Sequence, residues 1–117
     1  NSYWYLVSAY KIVGQSQQAL ETVGLVEKAG YNWRNNLQDL KTVIDLYLAL
    51  GDDGNLVPLY LKVIELEPND PSLWASLAAS YANLGQFAKA RTAVEKVLEL
   101  NPADRTKIEE FLKTLPQ

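Results

Sequence analysis

The 117-residue chain contains no cysteine, no histidine and no methionine. Without cysteine it cannot form disulfide bonds, thiolate metal sites or thiol redox centres, although this absence does not fix a compartment. Without histidine it lacks the commonest general base and metal ligand among side chains. The absence of methionine, an initiator included, predicts that the sequence is a fragment, a processed product or a domain of a larger protein.

Positive charge is also scarce, since 11 Lys and Arg residues stand against 14 Asp and Glu residues and the formal net charge is -3. The basic residues are scattered singly, whereas binding of nucleic acid needs a basic stripe that neutralises phosphates. No apolar run approaches the roughly 18 residues of a membrane span, and no signal-peptide pattern opens the chain. We therefore expect neither a nucleic-acid partner nor direct membrane insertion by this segment.

Catalytic motifs are missing as well. The chain has no glycine-rich phosphate loop, nucleophile elbow or metal-ligand spacing. Paired carboxylates occur as Asp52-Asp53 and Glu109-Glu110, but these are predicted to lie in a turn and on a solvent-facing helix. Neither place offers the apolar pocket that would shift a carboxyl pKa for acid–base chemistry. We expect no enzymatic activity, no cofactor and no metal site.

What the sequence does contain is an internal repeat. Tyrosine, glycine and proline landmarks recur at a fixed offset of 34 residues, and the pairs are Tyr47 and Tyr81, Gly51 and Gly85, and Pro68 and Pro102. Tyr10 and Gly14 continue the series, each 37 residues before its counterpart. A period of this length indicates a helical repeat array, because one two-helix unit cannot bury its apolar face alone and must stack on copies of itself.

The third repeat shows the plan of each unit most clearly. Asp70 followed by Pro71 is typical of a helix start, and Gly85 is placed to end that helix as a C′ residue. A second helix is predicted from Phe87 to about Leu100, where Asn101-Pro102 ends it. The inner faces of the two helices are predicted to carry Leu73, Trp74, Leu77, Ala78, Tyr81, Leu84, Ala90, Val94, Val97 and Leu98.

The other two repeats follow the same plan. The predicted helices are 2–13 and 17–29 in the first repeat, 37–50 and 56–66 in the second, and 103–115 at the end of the chain. In the second repeat, residues 51–54 are predicted to form the turn, with Leu50 inward. Asn55 is expected to cap the next helix, which would place Pro58 in its first turn, where a missing N–H costs little.

The third repeat resembles a tetratricopeptide repeat (TPR). The signature positions of that family are occupied by Trp74, Leu77, Ala78, Tyr81, Ala90, Val94, Val97 and Pro102. The second repeat matches more loosely, with Leu40, Val43, Ile44, Tyr47, Leu56, Tyr60, Val63 and Pro68. The first offers Tyr3, Leu6, Val7, Tyr10, Ala19, Val23 and Val26, without the closing proline.

The resemblance implies an all-α fold, a right-handed α-solenoid of three helix pairs plus a C-terminal capping helix, about seven helices in all. It divides a single domain, 1–117, into repeat one (1–36), repeat two (37–70), repeat three (71–104) and the capping helix (103–116). It also implies a non-catalytic interaction module that binds a peptide or partner protein in a concave groove lined by the first helix of each repeat.

Transferred to this sequence, the groove positions define the expected binding site. The site residues are Trp4, Tyr5, Ser8, Lys11, Gln38, Lys41, Thr42, Asp45, Ser72, Ser76 and Asn83, with Asn1, Ala75 and Ala79 at the remaining groove positions. An extended peptide is expected to anchor an apolar side chain on Trp4 and Tyr5, and to bond to Lys41, Thr42 and Asp45.

One ligand mode of the family is excluded by the same positions. The carboxylate clamp that grips the C-termini of chaperones needs Lys, Asn and Arg at sites that here hold Trp4, Ser8, Thr42, Ser72 and Ser76. No basic or asparagine residue stands at any of them. The chain is therefore not expected to be a carboxylate-clamp co-chaperone.

Each candidate also has a plainer interpretation. Trp4 and Tyr5 either anchor a ligand or cover an upstream repeat or a preceding transmembrane segment. Lys41 and Asp45, four residues apart on one helix face, are interpreted as a solvated pair. Residues 31–34, with two aromatics and an arginine, form either an edge site or a plug between repeats, and we favour the plug.

The alternative function is structural. The domain would then stack on copies of itself through its N-terminal aromatic face, or serve as the soluble TPR tail of a membrane-anchored bacterial protein. Segments 59–68 and 110–116 are similar to such tails in envelope polysaccharide polymerases and ligases. The alternatives for its location are the cytoplasm and the extracytoplasmic side of a bacterial membrane.

Overall fold

Helices account for all regular structure in the part of the chain that the computed structural model describes, residues 3–116. Seven α-helices are present there: α1 (Trp4–Ile12), α2 (Ser16–Lys28), α3 (Leu37–Leu50), α4 (Asp53–Leu66), α5 (Pro71–Asn83), α6 (Phe87–Leu100) and α7 (Arg105–Thr114). Two one-turn 3₁₀ helices, Trp33–Asn35 and Pro102–Asp104, lie between them. The predicted all-α helical repeat is confirmed. None of these seven helices combines the length and the apolar character needed to cross a membrane.

The helices group into two compact units, one ending at Asp52 and the other beginning at Asp53. In the first unit α2 packs against both α1 and α3. In the second unit α5 packs against α4 and α6, and α6 packs against α7. Within each unit, helices that follow one another in the chain are therefore neighbours in space, as in a helical repeat array.

The first helix of every repeat ends in the same way. Gly14, Gly51 and Gly85 adopt φ angles of +80°, +66° and +77°, a left-handed conformation that glycine reaches without a Cβ penalty. In each case a tyrosine carbonyl accepts a bond from the N–H five residues later. The N–O distances are 2.8 Å for Gln15 and Tyr10, 3.0 Å for Asp52 and Tyr47, and 2.9 Å for Gln86 and Tyr81. The repeat period in the sequence thus corresponds to the regular spacing of the glycines that end these helices.

Small residues are buried on both helices of the third repeat, which pack against each other. Ala78 on α5 is 2% exposed and Ala90 on α6 is fully buried. Side chains of this size let two helices pack at short interaxial distance. The fully buried larger side chains, each contributing roughly 1.5–3 kcal/mol, stand at the signature positions given above, except for Leu46. They are Val7, Leu40, Val43, Leu46, Leu56, Val63 and Leu77.

The start of α4 differs from the prediction. The helix begins at Asp53, three residues early, so the predicted turn is shorter and Asn55 is inside the helix rather than its cap. Pro58 is consequently an interior residue with no N–H to offer the Gly54 carbonyl. Gly54 is exposed, so water can reach that carbonyl and reduce the cost of the missing bond. Asp53 itself favours this start, because a carboxylate in the first turn complements the helix dipole.

Two residues predicted to face inward lie at the surface. Leu50 and Leu84 are 46% and 41% exposed. Each directly precedes a turn glycine, where the helix ends and the chain leaves the packed face. The apolar periodicity therefore fails where each helix ends.

The ends of the remaining helices follow local capping chemistry. Asp70 accepts a bond from the Ser72 N–H at 3.0 Å, and Pro71 is the first residue of α5, as predicted. The last helix starts at Arg105 rather than Ala103, because residues 102–104 form a 3₁₀ turn first. Ile108 in this helix and Leu115 just after it are buried.

Candidate partner-binding surface

A single ion pair shows which helices form the candidate surface of the first unit. The Nζ atom of Lys11 on α1 lies 2.8 Å from Oδ2 of Asp45 on α3. Both side chains are partly exposed. The structure bonds Asp45 across to a neighbouring helix. The pair with Lys41 along the same helix stays a prediction. The first helices of repeats one and two therefore lie side by side and share one face.

Trp4 is held against the segment that leaves repeat one. Its ring packs edge-to-face on Tyr31, with 5.5 Å between centroids and an interplanar angle of 64°. The Tyr31 hydroxyl donates a hydrogen bond to the buried Asp39 carboxylate. The Asp39 N–H donates in turn to Oδ1 of Asn36, the residue that caps α3, at 3.0 Å. Trp4 is thus half-buried and fixed in place, which suits an anchor that presents one ring face.

The hydrogen bond between Tyr31 and Asp39 has an electrostatic consequence. The bond to the carboxylate raises the pKa of the Tyr31 hydroxyl, and burial and the negative charge of Asp39 raise it further. A tyrosinate beside that carboxylate would lose the bond and meet a like charge. The hydrogen bond between Tyr31 and Asp39, which lies beside Trp4, therefore requires a protonated Tyr31.

The exposed part of the surface carries one aromatic ring, a positive charge and a negative charge. Tyr5 is 64% exposed on α1. Gln38, Lys41 and Asp45 are exposed on α3, and Ser8 on α1 is half-buried. These side chains can offer apolar contact, amide hydrogen bonds and charge of either sign. Asn1, expected at the same surface, lies outside the described residues.

Thr42 does not belong to this exposed set. It is only 8% exposed, and its hydroxyl donates to the Gln38 carbonyl at 3.0 Å. A threonine inside a helix commonly satisfies its hydroxyl in this way, on the carbonyl one turn earlier. The expectation that Thr42 bonds to a ligand stays a prediction, and in this structure its side chain is covered.

The equivalent positions in repeat three lie on α5 in the second unit. The Ser72 hydroxyl donates to the Asp70 carboxylate at 2.6 Å and so takes part in the helix cap. Ser76 is half-buried, and Asn83 is exposed at the last position of α5. This set is small and neutral, as its sequence indicates.

The second unit contains an open apolar depression that was not predicted from the sequence. It has a volume of about 190 Å³ and lies among α5, α6 and α7. Its lining includes Ala75, Ala78, Val94, Val97, Ile108 and Phe111. The depression is open because Ala75 and Ala78 have small side chains. These two alanines on the first helix of repeat three were the sequence signal that could have predicted it.

The aromatic exit of repeat one behaves as a plug. Trp33 is 3% exposed, and the Arg34 guanidinium stacks over its ring at 4.1 Å from the centroid. Arg34 also bonds to the Glu27 carboxylate on α2. The buried indole and its cationic cover fill the space beside α3 and offer little surface to a ligand.

The acidic pairs lie at the start of α4 and in the middle of α7. Glu109 on α7 is exposed and lies 3.9 Å from Arg105, a surface ion pair. Asp53 is the first residue of α4. Between residues 3 and 116, no cluster of three or more acidic side chains is placed to hold a metal ion. Asp53 and Glu109 therefore take part in interactions that stabilise helices.

The chain is a helical repeat protein, because its helices pack in sequence order within each unit and its turns recur at the repeat period. Residues 59–92, running from α4 into α6, match the sequence profile of the tetratricopeptide repeat family. A relative, Photosystem I assembly protein Ycf3 of Synechococcus sp. (strain CC9605), is 24% identical over 115 residues. The match covers 86% of this chain and 66% of that protein. Together with the fold, these findings show a tetratricopeptide repeat at residues 59–92 within an all-α helical repeat array.

Proposed function

We propose that the chain is a non-catalytic module that binds a peptide or a partner protein on the face shared by α1 and α3. The observation that supports this is the Lys11–Asp45 ion pair, which brings the two helices together. Around it stand the exposed Tyr5, Gln38 and Lys41. Ser72, Ser76 and Asn83 hold the equivalent positions on α5 and remain predictions for the second unit.

The chemistry of this face fits an extended segment with one apolar anchor beside polar groups. Tyr5 and the fixed ring of Trp4 would take the anchor, since aromatic side chains lose little conformational entropy on binding. Lys41 and the Lys11–Asp45 pair would align charged or amide groups of the ligand. Charges at the edge of such a site govern orientation and association rate more than affinity.

Selection from a displayed library of random peptides tests the proposal. The intact chain is the target, and a Tyr5→Ala, Lys41→Glu variant with an unchanged circular dichroism melt is the counter-target. Tyr5 is a sharper probe than Trp4, because Trp4 packs on Tyr31 and its removal would disturb the fold. The matched control, Leu61→Ala with Lys113→Glu, makes the same kinds of change at exposed positions outside this face.

A shared motif that binds the intact chain and the control, and loses about 30-fold in affinity on the variant, supports the site. That factor corresponds to about 2 kcal/mol for one aromatic hot spot. Motifs that bind the variant equally well would place the binding surface elsewhere.

A second candidate function is a role in assembly. The relative named above is itself called an assembly protein, and its similarity spans 86% of this chain. In that role the chain would join protein surfaces through packed helix faces rather than hold a short peptide. The exposed aliphatic and aromatic residues of the first unit favour this candidate, because a cluster of such residues marks an interface.

A further inference from the structure

An apolar groove lies on the surface of the α1–α2 pair. Its volume is about 410 Å³, and its lining includes Tyr3, Leu6, Tyr10, Leu25, Val26 and Ala29. Tyr3 is 58% exposed and Leu25 is 66% exposed, so both stand up from the edges of the groove. The surface therefore combines a hollow with projecting apolar side chains.

The internal repeat shows what kind of structure covers such a groove. Tyr3, Leu6 and Tyr10 occupy the positions of Leu40, Val43 and Tyr47 on α3, 37 residues later. Leu40 and Val43 are fully buried, and α3 packs against the preceding helix, α2. In the second unit α5 packs in the same way against α4. Leu40 and Val43 are thus covered by packed helices, whereas their counterparts are less covered: Tyr3 is exposed and Leu6 is half-buried.

On the α2 side of the groove, Leu25 differs in residue type from the equivalent positions of repeats two and three. Repeats two and three hold solvated Lys–Glu pairs at the positions of Leu25 and Lys28. These pairs are Lys62–Glu65, at 3.5 Å, and Lys96–Glu99, at 3.1 Å. Repeat one replaces the exposed lysine with an exposed leucine. Because the other two repeats keep this position charged, Leu25 indicates an interface particular to the first repeat.

We propose that a second copy of this chain occupies the groove, with the two α2 helices packed antiparallel across a two-fold axis near Leu25. Leu25 of each copy then enters the groove of the other. The contact is isologous, so both copies use the same residues and the assembly closes as a dimer. This inference rests on the assembly role above and names the partner, and it uses a different surface from peptide binding.

Charge complementarity favours the second copy over another occupant. On α2, Glu21 lies one turn before Leu25 and Lys28 lies about one turn after it. In an antiparallel pair centred on Leu25, Glu21 therefore faces the partner's Lys28, and the reverse contact is its symmetry mate. Both side chains are exposed in the single chain and free to pair in this way. This surface is thus self-complementary: it carries the groove, the projecting Leu25, and the opposite charges of Glu21 and Lys28.

Sedimentation velocity between about 5 and 500 µM tests the proposal, with a range chosen to detect a micromolar dimer. The intact chain is expected to shift from monomer to dimer as concentration rises. Leu25→Lys, which installs the residue of the other two repeats, is expected to raise the dimer Kd at least about tenfold. Leu61→Lys, on α4 and 41% exposed, is the matched control and leaves the dimer intact. Circular dichroism melts confirm that both variants fold.

A charge exchange tests the antiparallel geometry. Glu21→Lys and Lys28→Glu each create like-charge contacts and are expected to weaken the dimer, whereas the double variant restores opposite charges and dimerisation. A double variant as weak as either single one would overturn the antiparallel contact. An intact chain that stays monomeric over the whole range would overturn the second copy as occupant. Leu25→Lys should leave peptide binding on α1 and α3 unchanged, so failure of either proposal is recognised separately.

Discussion

Lys11 and Asp45 join the first helices of repeats one and two through an ion pair of 2.8 Å. Both partners are partly exposed, so water screens the pair and its contribution to stability is small. The importance of the pair is that it marks the face on which Tyr5, Gln38 and Lys41 are displayed.

A double-mutant cycle with Lys11→Ala and Asp45→Ala should give a coupling free energy below about 1 kcal/mol. The coupling should decrease between low salt and about 0.5 M salt, because exposed charges are screened. Urea unfolding of the four proteins measures it. A salt-independent coupling of about 2 kcal/mol or more would show that the pair is a structural lock instead.

Ala90→Leu should lower the free energy of unfolding by roughly 1–3 kcal/mol. Ala90 is fully buried in α6, in the unit where α5 and α6 pack together, and has no room for a larger side chain. Ala88→Leu, an exposed position on the same helix, is the control and should change stability by less than about 0.5 kcal/mol. Equal melting temperatures for Ala90→Leu and the wild type would refute the helix packing described here.

Stability should fall as pH rises above about 10, the ordinary pKa of tyrosine. The bond to Asp39 raises the pKa of Tyr31, so the folded state keeps its proton where the unfolded chain loses it. The stabilisation is complete below that pH and is lost as pH approaches the higher pKa of the folded state. Tyr31→Phe should be less stable at pH 8 and decline less steeply.

Urea unfolding of both proteins from pH 8 to 11 makes the comparison. Burial also raises the pKa of Tyr47, and a nearby Asp52 raises it further, so some decline remains in both proteins. An identical slope for wild type and Tyr31→Phe would remove Tyr31 from the explanation.

Asp70→Ala should destabilise the second unit by about 1 kcal/mol, since the carboxylate caps α5. Asp70→Asn keeps an oxygen acceptor and should retain most of that stability. Thermal unfolding monitored by circular dichroism separates the two variants. Equal losses for alanine and asparagine would assign the effect to the charge rather than to the cap.

Elements bounded by strong local signals could be predicted from the sequence. The left-handed glycines and the Asp70–Pro71 start needed only backbone chemistry, and the bounds of α3 and α6 agree with their prediction. The start of α4 could not, because two signals competed within three residues. Asn55 is a good cap and Pro58 favours a first turn, yet the helix begins at Asp53. Capping preferences differ by about 1 kcal/mol or less, so packing can override them.

The surface was only partly predictable. Alignment of the repeats predicted the surface positions on α1 and α3. The ion-pair partner of Asp45 could not be predicted, because it depends on how the two helices lie beside each other. Burial of Thr42 likewise follows from packing that a single helix does not show. The groove beside Leu25 had a signal in the sequence, the lysines at the equivalent positions of repeats two and three, and only comparison of the three repeats reveals it.

The most direct test of the interaction module is amide chemical-shift mapping with a peptide from the library selection. Titration into the ¹⁵N-labelled chain should shift amides along Tyr5 to Lys11 on α1 and Gln38 to Asp45 on α3, and Tyr5→Ala should abolish these shifts. Shifts confined to α2, α6 or α7 would contradict the proposed surface.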